Sequence, residues 1–317
     1  MDNFFMYKKA VRAMYEINRV MEGKGHTVHQ IMTAILAGGH ILIEDIPGVG
    51  KTTLALAFSK VLGLDYQRIQ FTPDIMPTDI AGFSIYHQGS EEFEFKEGAA
   101  MTNLLLADEI NRTSPKTQSA LLEAMEEGQI TVDGITRDLP DPYIVIATQN
   151  SQGYVGTFPL PEAQLDRFMI KISMGYPTVE EETGILLDRL GENPANEVRP
   201  VMTAEQLSAC IAEVQQVNFA ESLCRYVAEL SAATRAHGGV ELGVSPRASL
   251  AIMQASRAYA YLDGRDYVVP EDIVRLMIPV FSHRIVLRQE MKMRRMDVTT
   301  VLQDAVSAVT PPVRRSL

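Results

Sequence analysis

Residues 44–53 read EDIPGVGKTT, a glycine-rich stretch between an apolar run and a segment with helical spacing. It fits the Walker A phosphate-loop pattern, except that Asp45 stands where the first glycine usually lies. The glycines let successive backbone N–H groups turn towards phosphate oxygens at the start of a helix, where the helix dipole also favours negative charge. The apolar run Ile41–Glu44 and the helical spacing of Lys51–Leu62 supply the strand and the helix that the motif requires. The stretch therefore predicts a nucleotide-binding α/β domain rather than a glycine-rich turn without a ligand.

The loop and the first turn of its helix supply the predicted contacts to ATP. Lys51 can reach the β- and γ-phosphates, and the hydroxyl of Thr52 can bind Mg²⁺. ATP and Mg²⁺ are therefore the expected ligands. The residues predicted to bind the nucleotide are Pro47, Gly48, Val49, Gly50, Lys51, Thr52 and Thr53.

A second apolar run, NLLLA at residues 103–107, ends in two carboxylates, Asp108 and Glu109. An acidic side chain at the tip of a buried strand beside the phosphate loop can hold Mg²⁺, often through water, and Asp108 is assigned this role. Glu109 is then placed to polarise the attacking water. Two charges after an apolar run could by themselves mark a strand reaching solvent. Together with the phosphate loop they favour hydrolysis over binding alone.

Three further polar residues are candidates for the reaction. Asn150 ends the next apolar strand, where its amide could orient water or simply begin a turn. Arg167 follows a helix and could form a surface ion pair with Asp166 or act as an arginine finger on a neighbouring subunit. Arg247 lies in the first turn of a predicted helix, where the helix dipole disfavours a cation, and this hints at an anionic ligand.

The order of elements predicts an α/β fold of two domains. Alternating strands and helices over residues 1–175 indicate a doubly wound parallel sheet. Residues 176–200, with several prolines and glycines, are expected to form a linker around one helix. Residues 201–317 predict a smaller all-α lid domain. Its expected helices are 203–217, 220–236, 246–262 and 270–281.

Two β-hairpins are predicted within the first domain. In residues 83–95 apolar positions flank the polar turn HQGSEE. In residues 129–139 two short runs flank Asp133-Gly134, the dipeptide typical of a two-residue hairpin turn.

The composition disfavours nucleic-acid-binding and membrane proteins. The chain has 317 residues, 46% hydrophobic and 22% charged, and a formal net charge of −11. Such an acidic surface repels phosphate backbones, so a nucleic-acid partner is disfavoured. No apolar segment is long enough for a membrane helix, and the expected location is cytoplasmic. The two cysteines, Cys210 and Cys224, are expected to be small buried side chains in a reducing compartment.

Ordered stretches along nearly the whole chain resemble the MoxR family of AAA+ ATPases. The matching stretches are residues 39–53, IQFTPDIMPTDIAG (69–82), LADEINRTSPKTQSALLEAMEEGQITVDG (106–134), ATQN (147–150), FPLPEAQLDRF (158–168), GVSPRA (243–248) and GRDYVVPEDI (264–273). The family commonly has an acidic residue at the position of Asp45. It usually has Gly-Gln-Glu near the adenine pocket, where this chain has Gly23-Lys24-Gly25. The contacts to the base are therefore left open.

The resemblance implies a role for each candidate residue. These roles are nucleotide and Mg²⁺ binding for Lys51, Thr52 and Asp108, catalysis for Glu109, sensor 1 for Asn150, the arginine finger for Arg167 and sensor 2 for Arg247. It also implies a hexameric ring that remodels or matures a protein client, often with a partner that bears a von Willebrand factor A domain. Both hairpins are similar to the helix-2 insert and the pre-sensor-1 hairpin, which project towards the pore in related rings.

Two other functions stay open at this point. One is a nucleotide-operated binding switch in which slow hydrolysis only times the release of a partner. The other is a nucleic-acid translocase, which the acidic balance and the absence of basic residues from both hairpin tips disfavour. The linker length also permits Arg247 to act either on its own nucleotide or on that of a neighbour.

Overall fold

The computed structural model describes residues 4–21, 23–89, 91–150, 158–188 and 198–312. Its centre is a sheet of five parallel strands. These strands are β1 (Ile41–Glu44), β2 (Tyr66–Gln70), β5 (Leu104–Asp108), β8 (Ile144–Gln149) and β9 (Ile170–Ile172). They lie in the order β2-β5-β8-β1-β9. The strand that leads into the phosphate loop, β1, pairs with β8, and β8 pairs with β5. The carboxyl ends of these three strands therefore meet at one edge of the sheet.

Helices cover both faces of the sheet. They are α1 (Tyr7–Val20), α2 (Gly25–Leu36), α3 (Lys51–Leu62), α4 (Pro77–Ala81), α5 (Pro115–Glu127) and α6 (Glu162–Leu165). Strand β5 divides its side chains between the two layers, because Leu104 and Leu106 join one apolar cluster and Leu105 and Ala107 join the other. A strand that is buried on both faces is typical of a parallel sheet between helices. The predicted doubly wound α/β fold is confirmed.

The two predicted hairpins are present. They consist of β3 (Gly82–His87) with β4 (Glu92–Glu97), and β6 (Gln129–Val132) with β7 (Ile135–Asp138). The second hairpin turns at Asp133 and Gly134, which both have positive φ angles of 53° and 76°. The hairpins contact each other, since the guanidinium carbon of Arg137 lies 3.8 Å from the centre of the Phe95 ring.

Helix α7 (Val179–Asp188) lies in the predicted linker, and the four predicted lid helices follow. These are α8 (Ala204–Gln215), α9 (Glu221–Ala236), α10 (Pro246–Leu262) and α11 (Pro270–Phe281). The domain also contains a short antiparallel pair, β10 (Val240–Leu242) with β11 (Val286–Leu287), and helices α12 (Gln289–Met293) and α13 (Val298–Ala308), which are not among the predicted elements. The boundaries at residues 175 and 200 stay a prediction.

The first helix packs against the lid helices as well as against α3. The rings of Phe4 and Tyr7 lie 5.2 and 5.7 Å from that of Tyr261, between ring centres. The hydroxyl of Tyr261 donates to Glu213 at 2.6 Å, and the backbone N–H of Met6 donates to the same carboxylate at 3.1 Å. Phe4, Met6 and Tyr7 therefore pack against the lid helices that carry Glu213 and Tyr261.

The prediction that both cysteines are buried is right for Cys210 and wrong for Cys224, which is exposed. Helix α9 buries Leu223, Tyr226, Val227 and Leu230. Because this stripe follows the helical period, the position next to Leu223 points towards solvent. Among the described residues, no helix combines the length and apolar character needed to cross a membrane.

Candidate active site

The phosphate loop forms one wall of a cavity of about 420 Å³ at the carboxyl edge of the sheet. Gly48 and Gly50 have φ angles of 86° and 94°, a region that side chains other than glycine rarely adopt. Lys51 begins α3, is only 9% exposed, and donates from Nζ to the backbone oxygen of Asp45 at 3.0 Å. Burial lowers the pKa of Lys51, while the nearby carboxylates act in the opposite direction. Lys51 thus places a largely buried ammonium group at the start of α3, beside the phosphate loop.

The cavity brings most of the predicted nucleotide and metal residues together. Val49 is the exception, because its side chain packs against the apolar core. The lining residues are Pro47, Gly48, Gly50, Lys51, Thr52, Thr53, Arg68, Gln70, Asp108, Glu109 and Asn150.

Asp45 has a structural role that explains an acidic residue in the loop. Its carboxylate is 5% exposed and accepts hydrogen bonds from four partners around it. The backbone N–H of Ile46 donates to one oxygen at 2.9 Å. The hydroxyl of Ser173 and the backbone N–H groups of Met174 and Gly175 donate to the other. The side chain thereby fastens the segment after β9 to the phosphate loop.

Replacing Asp45 with Ala is expected to lower the free energy of unfolding by about 1–3 kcal/mol, because buried N–H groups lose their acceptor. Urea unfolding followed by circular dichroism measures the change. Asp65→Ala is the matched control, since the Asp65 side chain is exposed and lies outside this network. Equal midpoints for the two variants would contradict the assigned role.

Asp108 ends β5 with its side chain in the cavity. The hydroxyl of Thr148 donates to one of its oxygens at 2.6 Å, and Arg68 pairs with the other at 2.7 Å. The hydroxyl of Thr52 lines the same cavity, and hydroxyl and carboxylate oxygens are the ligands that Mg²⁺ prefers. The donor set fits a magnesium ion that is also bound by phosphate oxygens.

Glu109 follows directly and adopts a positive φ angle of 59°, which is unusual for a side chain of this size. Its backbone N–H donates to the hydroxyl of Thr148 at 2.9 Å. Its two carboxylate oxygens accept from Asn150 at 3.0 Å and from Arg112 at 2.8 Å. Burial raises the pKa of Glu109, but the hydrogen bonds from Arg112 and Asn150 outweigh it, and the net shift is downward. Glu109 is therefore an ionised, oriented carboxylate at neutral pH.

Sequence reasoning missed three side chains at this site. Arg68 and Gln70 lie two residues apart on β2, so both face the same side of the strand and line the cavity. Arg112 pairs with Glu109 from the short 3₁₀ helix that follows it. The alternation of polar residues along β2 beside the strand of Asp108 was a usable signal for the first two.

Arg167 and Arg247 do not line the phosphate-loop cavity. Both contact a different carboxylate, Glu126 near the end of α5, at 3.0 and 2.8 Å. They lie in a second cavity of about 270 Å³, which shares no lining residue with the first. The alternative partner considered for Arg167, Asp166, instead pairs with Arg284 at 2.6 Å. Of the four predicted catalytic residues, the structure thus brings Glu109 and Asn150 together and places the two arginines elsewhere.

Comparisons with known proteins agree with this geometry. A family described as "ATPase family associated with various cellular activities (AAA)" matches residues 40–170, and an AAA lid domain matches residues 232–305. A crystal structure of a candidate ATPase from Cytophaga hutchinsonii superposes with a TM-score of 0.91 at 34% identity, covering 98% of this chain and 96% of that one.

Curated relatives extend the likeness over the whole chain. The uncharacterized Bacillus subtilis protein YeaC is 50% identical, over 96% of this chain and 95% of its own length. Chaperone MoxR1 of Mycobacterium tuberculosis is 40% identical, over 95% of this chain and 82% of its own length. Protein MoxR of Paracoccus denitrificans is 31% identical, over 93% and 94%. The chain therefore belongs to the MoxR family of AAA+ ATPases.

Proposed function

We propose that this protein hydrolyses ATP to ADP and phosphate in a Mg²⁺-dependent reaction and uses the energy to remodel or mature a protein client in the cytoplasm. The observation that supports this most strongly is the convergence of Lys51, Thr52, Asp108, Glu109 and Asn150 on one cavity. These residues come from separate chain segments, and each supplies a group that phosphoryl transfer needs.

The roles follow from position and charge. The backbone N–H groups of the loop and the ammonium of Lys51 hold the phosphates. Thr52 and Asp108 would hold Mg²⁺, which supplies positive charge beside the transferred phosphoryl group. Glu109 accepts a proton from the attacking water, and Asn150 keeps the Glu109 carboxylate oriented through its hydrogen bond.

A ring of identical subunits, with six copies as in related proteins, completes the site in this proposal. Arg68, which lines the phosphate-loop cavity, is already paired with Asp108, and Arg112 is paired with Glu109. Arg167 lies in the other cavity of the same copy. An adjacent copy can supply it as an arginine finger, which neutralises charge in the transition state.

The proposed protein client can be identified by trapping it on a variant that binds ATP without hydrolysing it. Glu109→Gln loaded with Mg²⁺-ATP is expected to retain a client that the wild-type protein releases on hydrolysis. Mass spectrometry of proteins retained on immobilised Glu109→Gln measures this, with Lys51→Ala in ATP and Glu109→Gln in ADP as controls. Recovery of a protein with a von Willebrand factor A domain would agree with the proposed partner class. An identical set of proteins in all three samples would contradict the remodelling function.

The second candidate function is an ATP-operated binding switch with slow hydrolysis. The observation that favours it is the pair of hydrogen bonds that Glu109 accepts from Asn150 and Arg112, because these bonds lower the pKa of Glu109 and make it a weaker base. Phosphate release with and without a captured client separates the two functions. Strong stimulation by the client supports remodelling, whereas unchanged slow turnover with ATP-dependent binding supports the switch.

A nucleic-acid translocase is the least supported function. The exposed turn of the second hairpin is Asp133-Gly134, and the chain has a net charge of −11. Salt-dependent binding to single-stranded or duplex DNA would be needed to revive this function.

A further inference from the structure

The carboxylate of Glu126 joins the two predicted catalytic arginines to each other. Its Oε1 accepts from Nη1 of Arg247 at 2.8 Å, and its Oε2 lies 3.0 Å from Nη2 of Arg167. The Arg167 and Arg247 side chains are 29% and 44% exposed, and that of Glu126 is 34% exposed. Two cations that come from separate segments are therefore held on one partly exposed anion.

The surroundings of this pair favour a further anion. A guanidinium group has five N–H donors. Among the described residues, each of the two arginines uses one nitrogen, on Glu126, so most donors remain available. The cavity around them is lined by three guanidinium groups and two carboxylates, including Arg284 and Asp166, and has a net charge of +1. This positive balance lies on a protein whose net charge is −11.

A second carboxylate, that of Asp166, links the chain segment that contains Arg167 to the segment that contains Arg247. One oxygen of Asp166, the residue before Arg167, accepts from the hydroxyl of Ser245 at 2.8 Å. Ser245 is the N-cap of α10, whose first turn contains Arg247. The other oxygen of Asp166 pairs with Arg284, whose side chain is 3% exposed. The segment of Arg167 and the start of the lid helix thus form one connected unit.

This connection favours one of the two ways in which Arg247 could act. To reach its own nucleotide, Arg247 would have to leave Glu126 and enter a cavity with which its present one shares no lining residue. Staying with Glu126 leaves it beside Arg167, within reach of the same anion. The shared carboxylate therefore favours joint action of the two arginines.

We infer that Glu126 is a positioning residue that holds Arg167 and Arg247 as one anion-binding pair, directed at the terminal phosphate of a nucleotide bound by an adjacent copy of the chain. This inference rests on the proposed ATPase function and assigns a residue and a direction of action that the function alone does not require. Glu126 itself does not touch the nucleotide in this arrangement.

The first test separates positioning from charge. Glu126→Gln leaves one carbonyl oxygen for two arginines and is expected to lower kcat about two- to fivefold, the range that partly exposed ion pairs are worth. KM for ATP is expected to stay unchanged, because the phosphate loop of the other copy binds the nucleotide. Glu127→Gln removes the same charge from the neighbouring exposed position and should alter neither constant.

Two results of this test would overturn the inference. A rise in kcat would make Glu126 a competitor of the phosphate instead of a support for the arginines. Equal effects of Glu126→Gln and Glu127→Gln would show that only the loss of one negative charge matters and that Glu126 does not position the arginines.

The second test asks in which copy Arg247 acts. Arg247→Ala and Lys51→Ala are co-expressed with two affinity tags, and their mixed oligomers are purified through both tags. No single chain in these oligomers has both an intact Arg247 and an intact phosphate loop, so the two can act together only between neighbouring copies. We expect turnover to rise about tenfold or more above either variant alone, as for a finger-type arginine. No rise with Arg247→Ala, together with recovery in the corresponding Arg167→Ala mixture, would overturn joint action.

The same assays give different results if the role of Glu126 is wrong and if the ATPase function is wrong. Wild-type protein and Glu109→Gln are measured in each series. Turnover that depends on Glu109 but does not recover in the Arg247 mixture leaves the ATPase function standing and removes the inference. Absence of turnover that depends on Glu109 removes both.

Discussion

The Glu109→Gln variant is expected to lose ATP turnover by about 10²- to 10⁴-fold while it still binds ATP. The amide cannot accept a proton from water, so the step that Glu109 is proposed to assist loses its base. In the proposed site the phosphate loop and Lys51 contact the nucleotide, and the substitution leaves both in place. Phosphate release at saturating Mg²⁺-ATP and equilibrium binding of a fluorescent ATP analogue measure the two effects.

The control for Glu109→Gln is Glu123→Gln, an equal loss of charge at an exposed position of α5. Its turnover and binding should match those of the wild type. If Glu109→Gln hydrolysed ATP at a rate close to the wild-type rate, Glu109 would not be the base. Loss of ATP binding in the same variant would instead point to a collapsed site, which circular dichroism and urea unfolding would reveal.

The Arg167→Ala variant is expected to lose turnover by about 10³- to 10⁵-fold, the range for an arginine that neutralises charge in phosphoryl transfer. The phosphate-loop cavity of the same copy is not lined by Arg167, so ATP binding should be retained. Mixing Arg167→Ala with Lys51→Ala should restore part of the turnover. In a mixed ring, an intact finger can lie beside an intact phosphate loop even though neither variant has both.

Arg225→Ala is the matched control for Arg167→Ala, because Arg225 is exposed on α9 and distant in sequence from both cavities. It should hydrolyse ATP like the wild type. Full activity of Arg167→Ala would remove the finger assignment. Inactivity of the mixture despite confirmed mixed oligomers would argue against action on a neighbour.

Local sequence patterns predicted most of the residues that line the phosphate-loop cavity, because these residues belong to short motifs at strand ends. The loop, Asp108, Glu109 and Asn150 each follow an apolar run, and parallel strands bring such ends to one edge. The Asp-Gly turn of the second hairpin was equally readable, since both residues tolerate the positive φ angles found there.

Contacts between distant segments could not be predicted in the same way. Glu126 and Arg247 are 121 residues apart, and Asp166 and Arg284 are 118 apart, with no periodicity that links them. The position of Asp166 next to Arg167 suggested a local ion pair, but the buried guanidinium of Arg284 takes that carboxylate instead. Such pairings depend on how the lid helices lie against the sheet domain, which a single sequence does not specify.

The C-terminal helices were not predicted, although α13 has a local start signal. Helix α13 begins after Asp297, whose side chain accepts from the backbone N–H of Thr299 at 3.2 Å. An aspartate at this position is a usable start signal for a helix. The expected helices end at residue 281, so this start signal was not used.

Because the two cysteines differ in exposure, the protein can be labelled at a single position without introducing a new cysteine. Burial raises the pKa of Cys210 to about 12, so its thiol stays protonated and unreactive, whereas Cys224 is exposed on α9. A maleimide fluorophore should therefore attach selectively to Cys224. In the proposed ring, one dye per subunit on the lid would report lid movement and subunit exchange during ATP turnover.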